Sequence, residues 1–121
     1  MDQLQEIFEL QQKFDALVAD SRDLHYSREE WLQKQVLAMV SELSELLDEV
    51  NFKWWKNPKP VDDDALRDEI IDLLHFLVSM ALKSGMDAQE FHDRYVRKNQ
   101  ENFDRQAGKS AKRGYSLEER P

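Results

Sequence analysis

Apolar positions recur at helical spacing over four long stretches, and the residues that break helices stand between those stretches. Leu4, Ile7, Phe8, Phe14, Leu17 and Val18 predict a first helix from about Asp2 to Asp20. A second begins at Ser27, whose hydroxyl can cap the helix while Glu30 reaches back to it, and runs to about Asn51. Asn57-Pro-Lys-Pro60 breaks the chain. The acidic run Asp62-Asp63-Asp64 suits the positive N-terminal end of a third helix, and Gly85 suits its C-terminal cap. From Ile70 to Leu82 this helix is apolar on nearly every side, the pattern of a central helix or a subunit interface. Asp87 and Glu90 form a capping pair that opens a fourth helix, to about Gln106. The polar stretch Gly108 to Pro121 is expected to be mobile in the free protein. There is no strand pattern and no internal repeat, so the expected fold is all-α, a four-helix-bundle-like protomer over residues 1–107 with a basic tail over 108–121.

Composition bounds this picture. A chain of 121 residues holds one domain and buries roughly two-thirds of its unfolded surface. The absence of cysteine removes disulfide scaffolds, thiolate zinc sites and cysteine nucleophiles together. A formal charge of -8 argues against a nucleic-acid polymer or an anionic membrane as partner, because phosphate contacts need clustered Lys and Arg. With no apolar run of membrane-spanning length and an acidic start unlike a targeting peptide, the expected location is cytoplasmic.

The charges are unevenly placed. On the second helix Glu42, Glu45 and Glu49 lie within roughly 60° of one another, beside the arc of Met39, Leu43, Leu46 and Val50. No basic residue occurs from Gln35 to Phe52 to relieve them. The third helix repeats the pattern with Asp68, Glu69 and Asp72, and has no basic residue from Asp68 to Leu82. A lone Glu-x-x-Glu is commonly a solvated face. Two such pairs bordering apolar surface would converge at low dielectric if the helices pack face to face, and an uncompensated buried charge costs several kcal/mol. A cation is therefore expected there. Carboxylate oxygens favour a hard ion, Mg²⁺ or Mn²⁺. A di-iron bundle would need Glu-x-x-His pairs, and the second helix has no His to match His75, which is read as a packing residue or a neighbour of the ligands.

Basic residues cluster elsewhere. Arg94 to Arg113 holds seven basic side chains against two acidic ones, a net of +5, which leaves -13 for the rest of the chain. Such a segment can simply solubilise a helix end. Beside an acidic metal site it matches the way proteins hold polyphosphate during hydrolysis. Trp54 and Trp55 stand at a helix end between Lys53 and Lys56, which suits stacking of a base near phosphate as well as plain packing. Trp31 is read as a core residue.

Glu42-x-x-Glu45, a gap of 23 residues, and Glu69-x-x-Asp72 resemble the signature of the all-α nucleoside triphosphate pyrophosphatases, the superfamily of MazG and the dimeric dUTPases. The likeness is greater to the dimeric dUTPases. It is carried by Leu10-Gln-Gln-Lys-Phe-Asp15, Phe52-Lys-Trp-Trp-Lys56, Asp72-Leu-Leu-His-Phe76, Lys98-Asn-Gln-Glu-Asn-Phe-Asp-Arg-Gln106 and Arg113-Gly-Tyr115. The resemblance implies that Glu42, Glu45, Glu69 and Asp72 bind Mg²⁺. It implies that Lys98, Asn102 and Arg105 contact phosphates and sugar, while Gln11 and the Trp54/Trp55 region form the base pocket. Lys56, Arg113 and Tyr115 join the substrate-binding set. Self-association to a homodimer or larger is also implied.

The chain is shorter than typical dimeric dUTPases, and MazG-like relatives accept dCTP, purine or damaged nucleotides on the same scaffold. The expected activity is Mg²⁺-dependent hydrolysis of a deoxynucleoside triphosphate, dUTP first and another dNTP as the alternative. Glu45 is the candidate to orient or deprotonate the attacking water, and the Lys109-to-Tyr115 tail is expected to order over substrate. A reading of another class, an acidic helical interaction module, predicts binding of a basic partner without metal or hydrolysis.

Overall fold

A computed structural model describes residues 2–121, and Met1 lies outside the described residues. Four α-helices follow in order: α1 Gln3–Ser21, α2 Arg28–Glu49, α3 Asp63–Lys83 and α4 Ala88–Gln106, with a short 3₁₀ turn at Leu117–Glu119. No strand occurs among the described residues, as the absence of an alternating pattern predicts. The chain divides into two compact units, Met1–Asp87 and Ala88–Pro121.

Side chains that satisfy free backbone groups set the helix ends in the first unit. The Asp2 carboxylate accepts from the Gln5 amide at 2.7 Å, and the Ser27 hydroxyl accepts from the Glu30 amide at 3.1 Å. Asp62 accepts from the amides of Asp64 and Ala65 at the start of α3. At its other end Gly85 adopts φ +95°, and the amides of Gly85 and Met86 return to Leu82 and Ala81. The Arg28 guanidinium donates to the carbonyls of Lys83 and Ser84, which ties the start of α2 to the end of α3. The turn after α2 is held by Asn51, at φ +57°, whose side-chain amide exchanges two hydrogen bonds with the backbone of Lys59.

Helices α2 and α3 run antiparallel, with Arg28 at Lys83 and Gln35 at Ser79. Helix α1 runs parallel to α3, with Gln11 at His75 and Asp15 at Ser79. The three helices bury few apolar side chains: Phe8, Val78 and Ala81 are the core. The middle of α3 is thus the central rod that its composition predicts. Large apolar side chains remain exposed on α1 (Leu10, Phe14, Leu17) and on α2 (Val36, Leu37, Val40). Among the described residues no helix is long and apolar enough to cross a membrane.

The second unit is α4 and the chain that follows it. Lys109 donates its amide to the Asp104 carbonyl, and the Ser110 hydroxyl donates to Glu101 at 2.7 Å. Ser116 is buried, close to Gly108 at φ +75°.

Candidate active site

The antiparallel register of α2 and α3 brings the two acidic motifs together. One carboxylate oxygen each from Glu42, Glu69 and Asp72 lie within 4.8 Å of one another. Among the described residues none of these three, nor Glu45, makes an ion pair with a basic side chain. Oε2 of Glu42 and Oε2 of Glu69 are closed off from water and receive no hydrogen bond. Burial, and then the charge of Glu45, push the Glu69 carboxyl up to about 7. The same two causes raise Glu42 above the usual carboxylate range. Three converging all-oxygen donors, two with orphaned buried oxygens, fit a hard divalent cation, which would remove both the repulsion and the unmet acceptors. Glu45 is exposed, one turn beyond Glu42, and outside the three-oxygen group.

A cavity of about 480 Å³ adjoins the carboxylates. Glu42 and Asp72 line it at one end, and Trp31 and Lys83 line it toward the other ends of α2 and α3. Between them the lining positions follow helical spacing on all three helices: Gln11, Phe14, Asp15 and Val18 on α1, Gln35 on α2, and His75, Phe76 and Ser79 on α3. The polar members form one chain of hydrogen bonds. His75 Nδ1 donates to Gln11 Oε1 at 2.7 Å, Gln11 Nε2 donates to Asp15 Oδ1 at 2.9 Å, Ser79 Oγ donates to Asp15 Oδ2 at 2.7 Å, and Gln35 Nε2 donates to Ser79 Oγ at 2.8 Å. Lys83 Nζ lies over the Trp31 ring, 4.9 Å from its centroid.

Gln11 therefore lines the cavity, whereas Trp54 and Trp55 do not. Both tryptophans are exposed, at 82% and 60%, and pack edge-to-face against each other and Phe52. Lys56 lines a separate hollow with Lys53, Asn51 and Lys59. Trp31, read from the sequence as core, is a cavity wall. Within the second unit Arg105 joins three neighbours: it pairs with Glu101 at 3.2 Å, donates to Asn102 at 3.5 Å, and sits over the Tyr115 ring at 5.3 Å. Ser110 and Arg105 hold the Glu101 carboxyl below its ordinary value. Lys98 is exposed on α4, and Arg113 pairs with Glu119 at 3.3 Å.

Asp15, Gln35 and Ser79 escape a reading of the sequence as site residues. A polar residue on a long helix usually faces solvent. The available signal is position: Gln35 lies seven residues from Glu42 and Ser79 seven from Asp72, on the same faces two turns along, and Ser79 interrupts an otherwise apolar run.

The chain belongs to the dUTPase family, whose model matches residues 3–93. This places it among the all-α nucleoside triphosphate pyrophosphatase-like proteins. It is similar to a dCTP pyrophosphatase of Enterobacteria phage T4, 29% identical over 87 residues that cover 60% of this chain and 51% of that one. It is also similar to the uncharacterized protein YpjD of Bacillus subtilis (strain 168), 37% identical over 62 residues that cover 50% and 56%. The chain spans about half the length of these curated relatives. No solved structure matches it.

Proposed function

We propose that this chain hydrolyses a deoxynucleoside triphosphate to the monophosphate and pyrophosphate, with Mg²⁺ or Mn²⁺ held by Glu42, Glu69 and Asp72. The observation that carries the reading is the convergence of three unpaired carboxylates, two with orphaned buried oxygens, beside a nucleoside-sized cavity. Family membership supports it. The family's description gives dUTP as substrate, and the phage relative's gives dCTP.

A bound Mg²⁺ would neutralise phosphate charge and lower the pKa of a ligating water. Glu42, Glu69 and Asp72 would hold the ion, which would offset the charge of the substrate's phosphates. Glu45, exposed and one turn from Glu42, accepts the proton of the water whose oxygen attacks the α-phosphorus, and the bond to the β-phosphate oxygen breaks as pyrophosphate leaves. Phe14, Trp31 and Phe76 exclude water from the nucleoside. Lys98, Asn102, Arg105, Arg113 and Tyr115 of the second unit are proposed to contact phosphates and sugar, and the tail to order over bound nucleotide.

Incubation with each dNTP and Mg²⁺ should release pyrophosphate and the monophosphate, and EDTA should stop it. Absence of turnover with every dNTP would overturn the enzyme reading and favour an acidic docking module. Glu45→Gln should reduce kcat by about 100-fold or more while the helical circular dichroism stays intact.

A further inference from the structure

The hydrogen bonds along the cavity leave acceptors free at its middle, on Asp15 and Gln35. An amide oxygen cannot donate, so the bond from His75 Nδ1 to Gln11 Oε1 puts a proton on Nδ1. Asp15 orients the rest. By accepting from Gln11 Nε2 it turns that amide, and by accepting from Ser79 Oγ it turns the hydroxyl so that its lone pair takes Gln35 Nε2. Gln35 is only 9% exposed, and its Oε1 is left without a donor. The two donors that reach Asp15 occupy two of about four lone-pair positions on a carboxylate. The unmet acceptors are thus on Asp15 and Gln35, with the second hydrogens of two amides and the Lys83 ammonium over Trp31 as the donors beside them.

Position decides which part of a nucleotide meets them. Gln35 and Ser79 each lie seven residues, about 10 Å of helix, from the carboxylates of their own helix. With its phosphates at Glu42 and Asp72, as the proposed function has it, a nucleotide would extend its sugar past His75 and Phe76 and its base to Asp15, Gln35 and Ser79. An exocyclic amino group offers two hydrogens to this acceptor set, and the unprotonated ring nitrogen beside it takes an amide hydrogen. Uracil and thymine offer a single ring N–H in place of the amino group's two hydrogens, and they bring a carbonyl oxygen where that group stood, against the part-buried Asp15 carboxylate.

We propose that Asp15 and Gln35, set by Ser79, are the residues that determine base specificity, and that they select an amino-bearing base, cytosine or adenine, over uracil and thymine. The inference rests on the pyrophosphohydrolase reading for its choice of ligand and deepens it.

The test is kcat/KM for dCTP, dATP, dUTP and dTTP, paired with calorimetric affinities for dCMP and dUMP that need no catalysis. The wild type should favour an amino-bearing substrate over dUTP by at least about tenfold. Asp15→Asn keeps the shape but replaces an acceptor with a donor, and it should lower the dCTP:dUTP ratio by about tenfold or more. A general structural defect would lower all substrates alike and leave the ratio unmoved. Gln35→Leu, which removes the orphaned oxygen, should lower the same ratio and decides the matter if Asp15→Asn fails to fold. A wild-type preference for dUTP, or ratios untouched by the folded variants, overturns the proposal. If no dNTP is hydrolysed, the function reading fails by itself, and the dCMP and dUMP affinities still decide the base preference in the same way.

Discussion

Glu69 shows how much a single carboxyl is asked to tolerate. It is half-buried, faces the charges of Glu45 and Glu42, has an oxygen with no donor, and is raised to about 7. An acid whose pKa is higher in the folded than in the unfolded state contributes stability that is fully present below its unfolded value, near 4.5, and is lost as pH rises through about 7. In EDTA, the melting temperature should therefore fall between those limits. Glu69→Gln should flatten that slope, and Mg²⁺ at pH 8 should raise the wild-type melting temperature but not the variant's by the same amount. A wild-type melting temperature indifferent to both pH and Mg²⁺ would remove the case for a cation at these carboxylates. The acidic motifs were legible as a pair because nothing basic lies near them in the chain. Asp15 was not, since its partner Ser79 lies on α3, and a pairing 64 residues apart leaves no local trace.

At the scale of elements, the ends of the helices were the readable part. Ser27, Asp62 and Gly85 all act where their chemistry places them, because caps and left-handed turns are decided by one or two residues. Ser27→Ala should destabilise the protein by about 1 kcal/mol, read from the denaturation midpoint, through loss of the bond to the Glu30 amide. Gly85→Ala should cost about 1 kcal/mol or more despite open space around its Cα, because an L residue is strained at φ +95°. The segment between α2 and α3 was harder to read. Aromatic and basic composition suits either a stacking platform or a packed corner, and what organises it is the Asn51 amide reaching eight residues along to Lys59.

For the whole molecule, the sparse core is the governing fact. Among the described residues Phe8, Val78 and Ala81 are the buried apolar side chains, and a broad apolar surface remains on α1 and α2, with Leu37 at 68% and Leu17 at 62% exposure. We propose that a second copy covers it; the sequence leads one to expect self-association through the apolar third helix, whereas this exposed surface lies on α1 and α2. Sedimentation should give at least a dimer, and Leu37→Glu should shift it toward monomer with a lower melting temperature; a wild-type monomer at micromolar concentration would refute this.

The seven-residue interval that repeats on α2 and α3 has an evolutionary consequence. It separates the proposed chemistry from the proposed base reading by two full turns of helix, so substitutions at Gln35 or Ser79, or at Asp15 on α1, leave Glu42, Glu69 and Asp72 in place. Such a scaffold can drift from one nucleotide to another by single steps, each keeping a working reaction centre.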